Sequence, residues 1–182
     1  MAALGRGGNV LGALSLVVAD QMSDAVAAAA DQSLTAAAAL SALEHFADGC
    51  SIDRLRRILG LTSSGTVRLV DRLVTVGHVR RGAGPDARTT SVALTAAGRR
   101  AARRVTAARG AVLEDALDGL SVDERRDLER LAARVLENAV RRKLAREAAE
   151  STRWICRLCD MHACERAEGR CPAANAAAAA RG

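Results

Sequence analysis

The fold of this chain is decided between residues 51 and 98, which read SIDRLRRILGLTSSGTVRLVDRLVTVGHVRRGAGPDARTTSVALTAAG. Apolar residues recur there at helical spacing in two runs separated by Gly60, which predicts two short helices joined by a tight turn. After Gly77 the pattern changes to alternation on both sides of a turn-rich tip at 82–86, which predicts a β-hairpin. This order of elements predicts a helix-turn-helix followed by a hairpin wing.

The second helix of this unit is predicted over residues 64–76, and Gly77 should follow it in a left-handed conformation. Its buried face is expected to comprise Val67, Val70, Leu73 and Val74. Its outward face should carry Ser64, Arg68, Asp71 and Arg72. In a helix-turn-helix the second helix enters the major groove of DNA, and hydroxyls and arginines on its outer face suit that role.

A long amphipathic helix is predicted at the N-terminal end of the chain, where apolar residues recur every three or four positions from Val10 to Val26. A second helix, capped by Ser33 or Thr35, should follow and end at Asp48-Gly49. Ser51, directly after this break, is the expected cap of the first helix of the helix-turn-helix.

Two more long helices are predicted after the hairpin, over residues 95–117 and 122–150. Ser121 and Glu124 have the spacing of a capping box at the start of the second. This last helix is longer than so small a winged unit can cover. Its apolar stripe is therefore expected to bury against a second copy of the chain in a symmetric dimer, with intramolecular packing as the alternative.

The predicted fold class is mainly α with a small β wing: a winged helix-turn-helix with long terminal dimerisation helices. Its boundaries divide the chain into four parts. They are an N-terminal dimerisation helix at 1–34, a winged helix-turn-helix region at 35–98, C-terminal dimerisation helices at 99–150 and a cysteine-rich tail at 151–182.

Positive charge is concentrated in and just after the same region. Residues 51–104 hold twelve arginines and three aspartates, a net charge of +9, whereas the whole chain carries only +6. Such an excess is typical of a polyanion partner, because phosphate neutralisation supplies most non-specific affinity for nucleic acid. One Trp, one Phe and no Tyr argue against single-stranded partners, whose bases stack on aromatic rings, so double-stranded DNA is expected.

The longest apolar stretch does not predict a membrane span. It runs from Val10 to Ala19, is interrupted by Gly12 and is followed by Asp20, which makes it too short to cross a bilayer. It also lacks the charged start and the cleavage site of a signal peptide. We therefore expect a cytoplasmic protein that has no membrane partner.

Four segments of the chain resemble, in order and spacing, the MarR family of bacterial winged-helix regulators. They are SSGTVRLVDRL at 63–73, Gly77, Asp86-Ala87-Arg88 and LTAAG at 94–98. The resemblance covers roughly residues 10–148. It implies a homodimeric, sequence-specific regulator, most often a repressor, that binds a palindromic operator and responds to a small-molecule effector. It also implies that the helix at 63–76 enters the major groove and that Arg88 enters the minor groove, with Asp86 holding its side chain.

The candidate DNA-contacting residues follow from charge, position and this resemblance. They are Ser63, Ser64, Thr66, Arg68 and Arg72 on the helix, and Arg80, Arg81, Asp86 and Arg88 on the hairpin. A narrow minor groove concentrates negative potential, which favours an arginine at a hairpin tip. The sequence leaves open which residues contact bases and which contact phosphates. The alternative is that the hairpin arginines only solubilise an exposed loop.

Four of the five cysteines are clustered near the C-terminal end, at Cys156, Cys159, Cys164 and Cys171, and Pro172 follows the last. In a reducing cytoplasm such a cluster favours a metal or redox centre over structural disulfides. Four thiolates can bind zinc tetrahedrally, and they can also hold an iron–sulfur cluster, for which a closing Cys-Pro pair is common. Zinc is the expected cofactor and an iron–sulfur cluster is the alternative.

The expected function is DNA-binding regulation, and no catalytic residue is assigned. One alternative is a thiol–disulfide oxidoreductase that uses Cys156 and Cys159, but this pair lacks a strand-to-helix setting and leaves two cysteines unexplained. Another alternative is a chromatin protein that binds DNA without sequence preference. The sequence contains no zinc-hydrolase, phosphate-loop or nucleophile-elbow motif, so an enzyme is not expected.

Overall fold

The computed structural model describes residues 5–84, 89–146 and 155–179. The helices in these ranges are α1 (Arg6–Ala30), α2 (Leu34–Ala42), α3 (Ile52–Leu59), α4 (Ser63–Thr75), α5 (Ala96–Ala116), α6 (Val122–Arg146) and α7 (Pro172–Ala179). The strands are β1 (Cys50–Ser51), β2 (Val79–Ala83) and β3 (Thr90–Leu94). A π-helical turn, Leu43–Ala47, continues α2, and a 3₁₀ turn, Ile155–Leu158, opens the cysteine-rich segment. The predicted fold class is confirmed.

The helix ends fall close to where the sequence placed them. The Ser51 side chain accepts a hydrogen bond from the backbone N–H of Arg54 and so caps α3. Gly60 ends α3 with a φ of 64°, a left-handed conformation that costs glycine little. The predicted capping box at the start of α6 is present, because the Glu124 carboxylate accepts the Ser121 backbone N–H at 2.8 Å.

The strands form a small antiparallel sheet in the order β1-β3-β2. β2 and β3 are the predicted hairpin, in register from Val79 opposite Leu94 to Ala83 opposite Thr90. β1 was not predicted, because a strand of two residues is too short to show alternation. It places Cys50 opposite Val92, so this cysteine is buried within the sheet rather than lying in a loop between helices.

One continuous apolar core joins the end of α1, α2, α3, α4, the sheet and the start of α5. Every residue of α2 from 36 to 42 is buried, so this alanine-rich helix lies inside the winged-helix body. A second, smaller core lies between α6 and α7, and its buried members are Val140, Cys171, Ala173 and Ala176. We call these two units the body and the α6–α7 unit.

The chain after Cys171 is a low-complexity alanine run, a composition that usually leaves a segment frayed, yet Pro172–Ala179 form the helix α7. Pro172 opens α7, where its fixed φ suits the first helical turn. Alanine has the highest helix propensity, and Ala173 and Ala176 gain burial against α6. A low-complexity alanine run therefore forms a packed helix when a partner surface is available.

Long parts of α1 and α6 expose apolar side chains. The large exposed ones are Val10, Leu11, Leu14, Leu16 and Val17 on α1, and Val122, Leu128, Leu131 and Val135 on α6. Among the described helices, α1 is long and apolar enough to cross a membrane by length and composition. Its C-terminal end is nevertheless built into the body, where Val26 and Ala30 are fully buried.

Candidate nucleic-acid interface

The recognition helix α4 begins at Ser63 because Thr62 caps it. The Thr62 hydroxyl accepts a hydrogen bond from the Gly65 backbone N–H at 3.1 Å. Ser63 and Ser64 are exposed in the first turn, beside the free amides and positive dipole end of the helix. Helix N-termini of this kind attract phosphate groups, so the two predicted serines are well placed for DNA.

The face that α4 buries differs by about one residue from the predicted one. Thr66, Leu69, Val70 and Leu73 are buried. Val67 and Val74, which were predicted to be buried, are 42% and 40% exposed. Two overlapping sets of residues on this helix are spaced three or four positions apart, so either could be the buried face. Only the packing against the body decides which set is buried.

Thr66 was predicted to contact DNA, and the structure contradicts this prediction. It is fully buried, and its hydroxyl donates to the Thr62 carbonyl oxygen at 2.9 Å. A hydroxyl that satisfies itself inside the helix can be buried at little cost, which is why a polar residue occupies the core face. A side chain without exposed surface cannot contact a base edge or a phosphate directly.

The outer face of α4 carries the remaining predicted contacts. Ser64, Arg68 and Arg72 are exposed and stand four residues apart, so they form one stripe along the helix. Asp71 beside this stripe pairs with Arg81 of β2 at 2.6 Å. The ion pair holds the wing strand against the recognition helix, so Arg81 has a positioning contact and only part of its charge remains for DNA.

The hairpin is described up to Gly84 and from Thr89 onward. Arg80 is exposed on β2. The Gly84 backbone N–H donates to the Thr89 carbonyl oxygen at 2.9 Å, which closes the base of the tip. Asp86 and Arg88 lie outside the described residues, and their assigned roles stay predictions.

Part of the positive charge counted from the sequence has a structural role. On α5, Arg99 contacts Asp48 at 2.7 Å and Glu44 at 3.6 Å, and Arg103 also contacts Glu44 at 3.6 Å. The Arg104 guanidinium donates to the Ala29 carbonyl oxygen at the end of α1. The acidic partners precede residue 51, so a count over 51–104 overstates the charge available to DNA.

Asp48 joins the loop before β1 to the wing and to α5, and no local sequence pattern indicates this. Its carboxylate accepts the Leu94 backbone N–H at 2.9 Å and the Arg99 guanidinium at 2.7 Å. Partial burial favours a higher pKa for Asp48, but the hydrogen bonds from Leu94 and Arg99 outweigh it and lower the pKa below its usual range.

The run at 94–98 joins the hairpin to α5. The Thr95 hydroxyl donates to the Gly77 carbonyl oxygen at 2.6 Å and accepts the Gly98 backbone N–H at 3.0 Å, so it caps α5 and ties it to the end of α4. A Cβ at Gly98 would lie 1.9 Å from the His78 carbonyl oxygen. Glycine is therefore required where α5 crosses the backbone before β2.

The cysteine-rich segment brings four thiols together in two hydrogen-bonded pairs, Cys156 with Cys159 and Cys164 with Cys171. The hydrogen bond with Cys156 lowers the pKa of Cys159 to about 7 against the opposing effect of burial, and the Arg109 guanidinium acts in the same direction. Within the described ranges, no three Cys, His, Asp or Glu side chains are already arranged around one metal position.

Comparisons with known proteins agree with this geometry. A family model described as the MarR family matches residues 31–89. The structure of RV1404 from Mycobacterium tuberculosis aligns with 25% identity and a TM-score of 0.60, covering 75% of this chain and 96% of that one. Wild-type MarR from E. coli, in its apo form, aligns with 25% identity and a TM-score of 0.57, covering 69% and 96%.

A further relative differs in carrying a ligand. CouR from Rhodococcus jostii RHA1, solved bound to p-coumaroyl-CoA, aligns with 21% identity and a TM-score of 0.54, covering 74% of this chain and 95% of that one. A sequence comparison with curated proteins finds no match.

The capped helix α4, its exposed serine and arginine stripe and the attached wing define a winged helix-turn-helix protein of the DNA-binding class. Its winged-helix region, residues 31–89, is similar to the MarR family. The fold is that of a DNA-binding regulator.

Proposed function

We propose that the chain is a cytoplasmic homodimer that represses transcription by binding a palindromic operator in double-stranded DNA. The observation that carries this proposal is the exposed stripe of Ser64, Arg68 and Arg72 on α4, held beside the wing by the Asp71–Arg81 ion pair. The stripe supplies hydroxyl and guanidinium donors to one groove. The ion pair fixes the distance between helix and wing, so both can contact one duplex.

A second copy of the chain is the proposed occupant of the exposed apolar faces of α1 and α6. Between these helices and α5 lies an apolar groove of about 510 Å³, whose lining includes Leu14, Met22, Leu117 and Leu128. Apolar surface on this scale is stabilised when another apolar surface covers it. A two-fold dimer would cover α1 and α6 of both copies together.

A membrane is the less favourable occupant of the same face. The exposed helix carries Asp20 and Asp24 within its length, and a carboxylate in the hydrocarbon region costs several kcal/mol on insertion scales, of order 3 for Asp at the centre. The end of α1 would also have to leave the body, where Val26 and Ala30 are fully buried. These two costs support a protein dimer in the cytoplasm.

The effector expected from the family resemblance stays a prediction. CouR, which shares the fold, was solved with an acyl-CoA thioester bound. The corresponding proposal for this chain is that a small organic ligand changes operator affinity, and a screen of ligands against DNA-binding affinity tests it.

The operator proposal is tested by selecting duplexes from a random pool and measuring the affinity of single arginine variants for the selected site. Arg68→Ala should weaken binding by about 1–3 kcal/mol if the guanidinium contacts a base. Arg72→Ala should weaken binding across sequences and reduce the salt slope by about one, as loss of a phosphate contact does.

Arg130→Ala is the matched control, because Arg130 is an exposed arginine of α6 with only a surface ion pair to Asp127. It should leave DNA affinity unchanged. A selected site without two-fold symmetry, or α4 variants that bind as tightly as the control, would remove α4 from the reading surface. Light scattering that gives a monomer at micromolar concentration with full DNA affinity would contradict the dimer.

A further inference from the structure

The cysteine-rich segment folds into a compact unit that gathers thiols up to fifteen residues apart in sequence. Cys156 and Cys159 form one pair in a single turn, where the Cys159 backbone N–H donates to the Cys156 carbonyl oxygen at 3.0 Å, and Cys164 forms the other by packing against the core that contains Cys171. The Arg166 guanidinium, two residues after Cys164, donates to the Cys156 sulfur at 3.6 Å, so the turn that carries Cys164 lies beside Cys156. All five cysteines of the chain are free thiols, so no disulfide occupies any of these sulfurs.

The loop between the thiols is held by its own contacts. Asp160 accepts hydrogen bonds from the backbone N–H groups of His162 and Ala163, at 2.9 and 3.3 Å, which forms the turn after Cys159. Arg170 pairs with Glu165 at 2.7 Å, which closes the turn between Cys164 and Cys171. These contacts shape the loop between the thiols, while no three of the described metal-binding side chains are yet arranged around one position.

The four thiols lie at the junction of the two hydrophobic cores. Leu158, between Cys156 and Cys159, packs against the core of the body. Cys171 is buried in the core of the α6–α7 unit, and Cys164 packs against it. One thiol pair is thus attached to the body and the other to the α6–α7 unit.

Two arginines lie near the thiols, together with the loop carboxylates of Asp160 and Glu165. The Arg166 guanidinium donates to the Cys156 sulfur at 3.6 Å. The charge of Arg109, on α5, acts on Cys159. Four thiolates around a divalent cation leave a net charge of −2, and two guanidinium groups can compensate it.

We propose that Cys156, Cys159, Cys164 and Cys171 bind one Zn²⁺ ion, which fastens the α6–α7 unit to the body. On binding, each thiol releases its proton to solvent and each thiolate sulfur forms a Zn–S bond. Zn–S bonds of about 2.3 Å draw the two pairs toward each other around a tetrahedral centre. Among the described residues, few contacts connect the body to the α6–α7 unit. The ion joins these two units and so acts as a structural clasp.

The metal content of the full-length protein tests the first half of this proposal. Protein purified without oxygen from zinc-supplemented medium should hold one zinc per chain and four protected thiols, and replacement by Co²⁺ should give the visible absorption of tetrahedral thiolate coordination. Cys159→Ser and Cys171→Ser should each lose most of the zinc. Cys50→Ala is the matched control, because Cys50 is buried in the sheet outside this unit, and should keep it.

Three results would overturn the zinc assignment. A brown protein that contains iron and sulfide means an iron–sulfur cluster, disulfides seen by mass spectrometry in the anaerobic protein mean a redox pair, and metal-free protein with four reactive thiols means no centre. None of these readouts depends on DNA binding, so failure here is separate from failure of the proposed function.

Hydrogen exchange tests the clasp. Removing zinc with a chelator should increase exchange in the Ile155–Leu158 turn and in α7 while leaving α3 and α4 unchanged, because the body has its own core. Exchange in α7 that is the same with and without zinc would contradict the fastening role. The Cys50→Ala protein should respond to chelation as wild type does.

Discussion

The body and the α6–α7 unit of this protein are stabilised in different ways. The body buries large side chains from five helices and the sheet in one continuous core, including Leu40, Leu43, Leu55 and Leu73 at zero exposure. The core of the α6–α7 unit contains one valine, one cysteine and two alanines at buried positions. Apolar burial stabilises by about 25 cal/mol per Å², so the first unit has far more of this energy than the second.

This difference in apolar burial indicates which unit can fold on its own packing and which needs further contacts. The body can hold the recognition helix in place by its own packing. The α6–α7 unit exposes an apolar stripe and holds two of the four clustered thiols, which are groups that the proposed second copy and the proposed metal ion would engage. The proposed DNA contacts of α4 therefore lie in the unit with the larger core.

The largest expected effect comes from the same substitution made in the two units. Leu40→Ala should lower the free energy of unfolding of the body by about 2–5 kcal/mol, because it leaves a cavity in a fully buried site. Leu136→Ala in α6, where the side chain is only half-buried, should cost about 1 kcal/mol. Urea denaturation of both variants at one protein concentration measures the two costs, and equal costs would contradict the proposed division.

The second expected effect tests how the body is joined to the wing. Asp48→Ala should cost about 1.5–3 kcal/mol, the range for hydrogen bonds to a charged group, because it removes the acceptor for Leu94 and Arg99. Asp118→Ala, at an exposed position between α5 and α6, is the control and should be nearly neutral. Thermal unfolding at neutral pH compares them.

The pH dependence of the same variant gives a further check on Asp48. The pKa of Asp48 is lower in the folded protein than the usual 3.8, so its stabilisation is complete above that value and is lost as the pH falls through the folded pKa. Asp48→Ala should therefore lose less stability than wild type when the pH is lowered below about 4. A wild-type acid response in the variant would show that other carboxylates dominate.

The smallest expected effect compares two glycines of α5. Gly98→Ala should destabilise the body by about 1–3 kcal/mol, because its Cβ would collide with the His78 carbonyl oxygen. Gly110→Ala meets no atom within 4 Å and should stabilise by about 0.5–1 kcal/mol through helix propensity. Opposite shifts in melting temperature confirm the close crossing at Gly98, and a neutral Gly98→Ala would contradict it.

Much of the fold was readable from local patterns. Caps at Ser51 and Ser121 and the left-handed Gly60 depend on neighbouring residues only, so the sequence predicts where those helices begin and end. The hairpin was predictable for the same reason, because its alternating strands and its turn residues are close together in the sequence. Charge density and the segments shared with the MarR family were sufficient to predict the DNA-binding class.

Within the candidate site, sequence reasoning placed the outer stripe of α4 correctly and one member of the set wrongly. Ser64, Arg68 and Arg72 are polar at helical spacing, which the sequence shows directly. Thr66 is polar yet buried, because its hydroxyl is satisfied inside its own helix. The pattern of polar and apolar residues does not show which acceptor a side-chain hydroxyl will bond to in the folded protein.

What the sequence by itself determined was the order of the elements, their approximate ends, the location of arginine and the presence of four clustered thiols. What only the tertiary structure decided were contacts between distant residues, such as Asp48 with Leu94 and Arg99, and Gly98 against His78. The physical reason is range: caps and turns depend on neighbours along the chain, whereas ion pairs, close crossings and the choice of buried face depend on which surfaces the folded chain brings together.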